Sequence, residues 1–286
     1  MRRQRWRPWA ASAALAALTL TGCGLAGAES SATTPTVRAD GSLADQVASL
    51  PVKGRAPMTG YDRARFGQAW LDADRNGCDT RNDAMRDHLT QVTIAPGTNG
   101  CVVESGTLDD PYTGTSTDYV RGDGTLVDVD HVVALGNAWV TGAAAWDIRK
   151  RAAFANDPMN LLPVDASANR SKGDGDAATW LPPSKPFRCQ YVARQVGVKA
   201  KYGLWLTPPE LAAVERVLET CPGQAPVSDS GAPVVVDQDI VDPGPRADGS
   251  YENCDAARAA GATPVRRGDP GYGPHLDGDG DGVACE

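Results

Sequence analysis

Six of the seven cysteines fall two by two along the chain, Cys78 with Cys101, Cys189 with Cys221 and Cys254 with Cys285, and no other feature constrains the fold as much. An even set of this kind suits disulfides in an oxidising compartment. Six cysteines allow many connectivities, and nearest pairing within each segment gives the three pairs in that order. On the chain-entropy model, closing a loop of the Cys78–Cys101 size contributes about 3 kcal/mol. None of the six reads as a nucleophile.

The seventh, Cys23, belongs to a different signal. Arg2, Arg3, Arg5 and Arg7 precede an apolar stretch from Ala10 to Leu20 that is too short to span a bilayer, so residues 1–22 read as a signal peptide. Leu20-Thr-Gly-Cys23 resembles the lipobox of bacterial lipoproteins. That resemblance implies cleavage before Cys23, a diacylated cysteine and a stable membrane anchor on the outer face of the cell. The alternative is plain secretion with cleavage near Ala26 or Ala28.

Composition divides the remainder. Residues 23–45, rich in Ser, Thr, Ala and Gly, read as a tether, and residues 222–248, with five prolines and five aspartates, as a second linker. Residues 46–221 are long enough for one core and hold Trp70, Trp139, Trp146, Trp180 and Trp205, all the tryptophans beyond the signal peptide. Helical patterning dominates this segment. A helix is expected over Phe187–Tyr202, and Thr207-Pro-Pro-Glu210 is a capping box with proline at the first helical position, opening a helix to about Cys221. Strands are expected only as short pieces, so the fold class is α+β.

The densest chemistry lies at Asp130-His131, which ends the apolar run Thr125-Leu-Val-Asp-Val129 and is followed by Asn160 and by Asn169-Arg-Ser-Lys172. Neutral imidazole, with an ordinary pKa of about 6.5, takes a proton from water near neutral pH. His131 is therefore the candidate general base. Asp130 and Asn169 offer hard oxygen donors that suit magnesium or manganese, ions that polarise a phosphoryl oxygen and stabilise a departing alkoxide. Neighbouring strand residues point to opposite faces, so Asp130 and His131 flank one phosphate only where the strand ends.

These residues resemble the HNH, or ββα-metal, endonuclease motif, with Asp130-His131 on a first strand, Asn160-Leu-Leu-Pro-Val164 on a second, and Asn169-Arg-Ser-Lys172 opening a helix. From about Tyr61 to Cys221 the chain resembles the HNH-type domain of GmrSD-like restriction enzymes. The strings that carry this are Gly77-Cys-Asp-Thr-Arg-Asn82, Asp110-Pro-Tyr-Thr-Gly114, Asp130-His-Val-Val-Ala-Leu135, Phe154-Ala-Asn-Asp-Pro158 and Trp180-Leu-Pro-Pro183. The resemblance implies a ββα-metal motif inside a mostly helical, disulfide-braced domain. It implies His131 as base, Asp130 and Asn169 as metal ligands, and Asn160 as the site residue that braces the loop presenting His131. The paired Cys-x-x-Cys units through which many such proteins bind zinc are missing from the sequence, so no structural zinc is expected. Lys172, Arg170 and Arg81 are the candidate substrate contacts. Lys172 reads equally as a solvated side chain, and Arg81 equally as a buried ion pair. His88 and His275 read as structural, and Gly173-Asp-Gly-Asp176 as the stop of the motif helix.

The end of the chain, Asp277-Gly-Asp-Gly-Asp281-Gly-Val-Ala-Cys285-Glu286, with Tyr251-Glu-Asn-Cys254-Asp-Ala-Ala257 before it, resembles the excalibur domain, an extracellular calcium-binding module placed here at 249–286. Its aspartates have the spacing that opens an EF-hand loop, but the chain ends before the position of the bidentate glutamate. The resemblance implies weak calcium binding by Asp277, Asp279 and Asp281. The bland alternative is a solvated acidic tail closed by a disulfide.

The net charge of -8 sits in residues 224–286, which hold twelve acids and four bases, whereas residues 145–205 hold ten Lys or Arg against five Asp. A modest basic surface beside the motif suits transient phosphate binding, and no recognition helix or zinc finger points to sequence readout. Two functions are carried forward. One is a lipid-anchored, monomeric, metal-dependent endonuclease acting on nucleic acid, DNA before RNA. The other is a calcium-dependent cell-surface binding protein in which the HNH-like fold is a catalytically silent scaffold.

Overall fold

The computed structural model describes residues 42–124, 126–242, 250–251, 254–259, 262–269, 271–273, 276–277 and 282–285. Helix α1 (Leu43–Ser49) begins at Ser42, whose hydroxyl accepts from the Asp45 amide while the Asp45 carboxylate accepts from the Ser42 amide. Helix α2 (Thr80–His88) is capped by Asp79. The Cys78–Cys101 disulfide ties its start to the turn between β1 (Thr90–Ile94) and β2 (Val103–Asp109). With β3 (Ser116–Val120) these strands form an antiparallel sheet in chain order, an element that helical patterning did not anticipate.

The second sheet positions the motif. Strands β4 (Val127–His131) and β5 (Leu161–Asp165) pair antiparallel, with Asp130 opposite Leu162 and His131 opposite Leu161. Between them run α3 (Leu135–Val140) and α4 (Ile148–Ala155). Helix α5 (Ala166–Lys172) follows β5 directly because Asp165 closes the strand and caps the helix, accepting from the Ala168 amide. It stops at Gly173, whose φ of 51° is one that glycine adopts at little cost.

Helix α6 (Arg188–Tyr202) is the central support, because its apolar residues serve two clusters. Tyr191, Val192 and Val196 pack with Val132, Leu162, Val164 and Val214, while Val198 and Tyr202 pack with Phe66, Trp139 and Phe154. Helix α7 (Pro208–Leu218) starts with the expected Thr207/Glu210 capping box. The Cys189–Cys221 bridge closes the α6–α7 hairpin. Buried between the two helices, Lys199 pairs with Glu210 at 2.7 Å and donates to the Trp205 carbonyl at 3.1 Å.

The described part of the expected linker is not free-standing. Val236 is buried, and Val227 and Ile240 pack against the core. The Ser230 hydroxyl donates to Asp157 at 2.6 Å, Arg149 donates to the Val236 carbonyl at 2.8 Å, and Asp242 accepts twice from Arg65 while pairing with buried Arg151. Residues 227–242 are a strap, since Val227, Val236 and Ile240 meet the core and Asp229, Asp237 and Asp242 meet cations. In the terminal segment, α8 (Cys254–Ala259) and the short β6 (Val265–Arg266) and β7 (Val283–Ala284) surround Ala257, Leu276 and the Cys254–Cys285 bridge. All three nearest-neighbour disulfides are formed. Among the described residues no helix is long and apolar enough to cross a membrane.

Candidate active site

Strand alternation sorts the motif onto two sides of β4. Asp128 and Asp130 face α5, whereas Val127 and Val129 join a cluster with Met85, Leu89 and Leu161, and His131 follows them in register. On the α5 side, the Asn169 amide donates to Asp128 at 3.1 Å and Lys172 Nζ donates to Asp130 at 2.9 Å. Tyr112 donates to the other Asp130 oxygen at 2.5 Å. Asp130 is 5% exposed, and burial pushes its carboxyl pKa up while the Lys172 charge and the Tyr112 hydrogen bond oppose the rise.

Lys172 therefore departs from both of its sequence readings. It is neither solvated nor open to a phosphate; it is buried, bound to Asp130 and to the His131 carbonyl oxygen at 2.9 Å. Helical spacing explains the difference, since the residue three positions after Asn169 returns to the face that meets β4. Arg170 lies on the exposed side of α5. Arg81 is half-buried and makes no ion pair among the described residues, so its buried-pair reading is corrected.

His131 is 8% exposed. Its Nε2 lies 2.8 Å from the Ala155 carbonyl oxygen, and because a carbonyl only accepts, Nε2 carries the proton and Nδ1 is the basic nitrogen. The ring stacks on Trp70, 6.0 Å between centroids at an angle of 9°, and lines a small cavity with Arg63, Phe66 and Leu135. Burial first, then the Arg63 charge, lowers its pKa to about 3, opposed by the bond to Ala155. Asn160 holds the chain just past His131: its Oδ1 accepts from the Val133 amide at 2.8 Å and its Nδ2 donates to the Val133 carbonyl at 3.2 Å. Expected among the catalytic residues, Asn160 touches backbone only, a positioning contact.

Asp128, Asp130 and Asn169 supply hard oxygens on one side of β4, which is the donor chemistry a divalent ion takes. An ionised carboxylate offers about four lone-pair sites, and the contacts described use two at Asp130 and one at Asp128, so the set has capacity for an ion. Among the described residues no three His, Cys, Asp or Glu side chains gather as a metal site; the candidate set is two carboxylates and an amide. Sequence reasoning missed Asp128, Tyr112 and Trp70. The signal for Asp128 was present in Asp128-Val-Asp130, since residues two apart on a strand share a face. Nothing local marked Tyr112 or Trp70, which arrive from distant segments.

His88 accounts for itself structurally, its Nδ1 lying 3.0 Å from the Ala84 carbonyl oxygen. In the terminal segment Asp277 is buried and accepts from Tyr272 at 2.5 Å and the Gly282 amide at 2.9 Å. Asp279, Asp281, His275 and Cys23 lie outside the described residues.

Fold and site together define a disulfide-braced α+β domain built around an Asp-His strand end. The chain belongs to the family that carries the C-terminal domain of GmrSD restriction endonucleases, whose model matches residues 79–210; the Excalibur calcium-binding domain matches residues 251–286. An uncharacterized secreted protein of Arthroderma benhamiae is 34% identical over 191 residues, covering 66% of this chain and 89% of that protein. No solved structure matches.

The buried imidazole has a consequence for stability. Its folded pKa of about 3 lies below the unfolded value of 6.5, so between these limits the unfolded chain binds a proton that the folded chain does not. Stability is therefore lost as pH falls through that window, by up to about 1.4 kcal/mol per pH unit from this residue. Denaturant unfolding at pH 7 and pH 5 should show a smaller pH dependence for His131→Gln than for the wild type. Equal slopes would mean that His131 is accessible to protons.

Proposed function

We propose that the chain is an exported, metal-dependent endonuclease that hydrolyses phosphodiester bonds of nucleic acid. The observation that carries this reading is the strand β4 ending in Asp130-His131, joined to α5 through Asn169–Asp128 and Lys172–Asp130, in a chain whose family is that of a restriction-endonuclease domain. Asp128, Asp130 and Asn169 are the residues that would hold magnesium or manganese. When bound there, such an ion would supply charge stabilisation to the phosphoryl oxygen and the departing alkoxide. His131 removes the proton of the attacking water through Nδ1, with the Ala155 carbonyl fixing the tautomer and Asn160 fixing the strand end. Arg170, exposed on α5, is the proposed phosphate contact. Calcium binding by Asp277, Asp279 and Asp281 belongs to the terminal module.

Raising the metal concentration should restore part of the cleavage lost in Asp128→Asn and in Asn169→Ala, because the defect lies in ion affinity. Titration calorimetry should show weaker binding for both. Loss of activity with metal affinity intact would remove these residues from the ion site. The second reading, a silent scaffold for a calcium-dependent surface protein, is favoured by one observation: Lys172 and Tyr112 already engage both oxygens of Asp130. A wild-type protein that binds calcium and cleaves at no metal concentration would establish it.

Export follows the signal-peptide reading of residues 1–22 and accords with the relative described as secreted. Lipidation at Cys23 is the proposed anchor. Cys23→Ala should move the protein from the membrane fraction to the medium, as read by fractionation; a wild type already in the medium favours plain secretion.

A further inference from the structure

Beside the cavity that holds His131 lies an open cleft of about 500 Å³, lined by Trp70, Arg81, Asn82, Tyr119, Arg121 and Leu126 among others. Three observations make it more than a surface depression. First, Trp70 lines both the cleft and the His131 cavity, so one indole joins the open groove to the imidazole it stacks on. Its backbone is held at φ 61°, a conformation uncommon for a bulky residue and frequent at functional positions. Second, Arg81, half-buried on α2, and Arg121, exposed in the turn after β3, make no ion pair or side-chain hydrogen bond among the described residues, whereas the buried or half-buried Arg65, Arg151 and Arg194 are engaged. The carboxylate in the lining, Asp79, is occupied in capping α2 through the Asn82 amide and side chain. Third, Asn82 lines the cleft and is 5% exposed, and its Oδ1 has no hydrogen-bond partner among the described residues. The turn after β3 carries Gly122 and Gly124, with open space where a side chain would stand, so backbone and ligand can approach closely.

We propose, building on the nuclease reading, that this cleft binds an unpaired nucleic-acid strand, with Arg81 and Arg121 on its phosphates and a base against Trp70, delivering the scissile phosphate toward His131. Two cations lining one cleft, Arg81 from α2 and Arg121 from the turn after β3, can meet phosphates of one strand, and an aromatic face is usable only by a base that is out of a duplex. The residues come largely from outside the β4–β5–α5 unit, and Trp70 precedes the segment matched by the family model, so the cleft sets what this particular chain selects.

The test uses the full exported chain and a fluorescein-labelled oligodeoxythymidine, with EDTA present so that binding is read without cleavage. Fluorescence anisotropy across a salt series should show that Arg81→Ala with Arg121→Ala lowers the magnitude of the slope of log affinity against log salt by roughly 1.4, the worth of two phosphate contacts on a single strand. Trp70→Ala should weaken binding roughly 5- to 150-fold and Trp70→Phe much less. A duplex of matched length should bind the wild type more weakly than the single strand. Arg121 is exposed and Arg81 half-buried, and far-UV circular dichroism checks that the arginine variants and Trp70→Ala are folded. An unchanged salt slope in the double arginine variant, or duplex preferred over single strand, would overturn the proposal while leaving the nuclease reading standing. Strand binding as proposed, with no cleavage when metal is restored, would overturn the nuclease reading alone.

Discussion

Replacing His131 by Ala is expected to lower the rate of phosphodiester cleavage by about 10²–10⁴-fold, the usual contribution of a general base, while divalent-metal affinity is unchanged. The two effects separate because the His131 side chain is held by the Ala155 carbonyl and shares no side-chain hydrogen bond with Asp128, Asp130 or Asn169. Single-turnover cleavage and calorimetric metal titration on the same preparation check both halves. The environment also changes the pH at which this base fails. An unperturbed histidine would lose activity below about pH 6.5. His131 is buried, and burial first and then the Arg63 charge lower its pKa to about 3, so the acid limb of wild-type activity is expected below pH 6.5.

The largest stability effect is expected at a site remote from the chemistry. Lys199 and Glu210 form an ion pair with both side chains almost fully buried. Lys199→Met leaves the Glu210 carboxylate in the core without its cation, at a cost of about 3–5 kcal/mol. For a domain of this size that lowers Tm by roughly 6–20 °C. Adding Glu210→Gln removes the stranded charge while keeping an oxygen for the Thr207 amide, which Glu210 serves in the wild type. The double variant should recover more than half of the loss in thermal unfolding monitored by circular dichroism. A single variant within 1 °C of the wild type would mean that the pair is hydrated.

Much of this architecture was legible where local chemistry determines structure. The Thr207/Glu210 capping box and the helix of α6 appear where residue pattern placed them, and cysteine spacing identified the three bridges. The β1–β3 sheet escaped because its strands carry little apolar alternation: Val103-Glu-Ser-Gly-Thr-Leu-Asp109 interleaves glycine and acids with few core residues. Its turn was nevertheless signalled by Asn99-Gly100, both at positive φ. The strap over 227–242 escaped for a different reason. Proline and aspartate content describes a linker equally well, and only tertiary structure shows Asp242 meeting Arg65 and Arg151.

At the site itself, residue types were legible and their partners were not. Asp130, His131, Asn160 and Asn169 could be singled out from spacing and resemblance, but each takes its environment from elsewhere. Tyr112 comes from the β2–β3 turn, Trp70 from the segment before α2, and the Ala155 carbonyl from the end of α4. Long-range contacts of this kind leave no periodic trace in sequence. They decide which Asp130 oxygens are engaged and which histidine nitrogen is basic.

The central claim is tested most directly by incubating the purified exported chain, wild type and His131→Ala, with closed circular plasmid and circular single-stranded DNA, with magnesium, manganese or EDTA. The account predicts cleavage by the wild type in either metal, none in EDTA, and loss of nearly all of it in a folded His131→Ala variant. Cleavage that persists unchanged in that variant, or none by the wild type under any of these conditions, would contradict it.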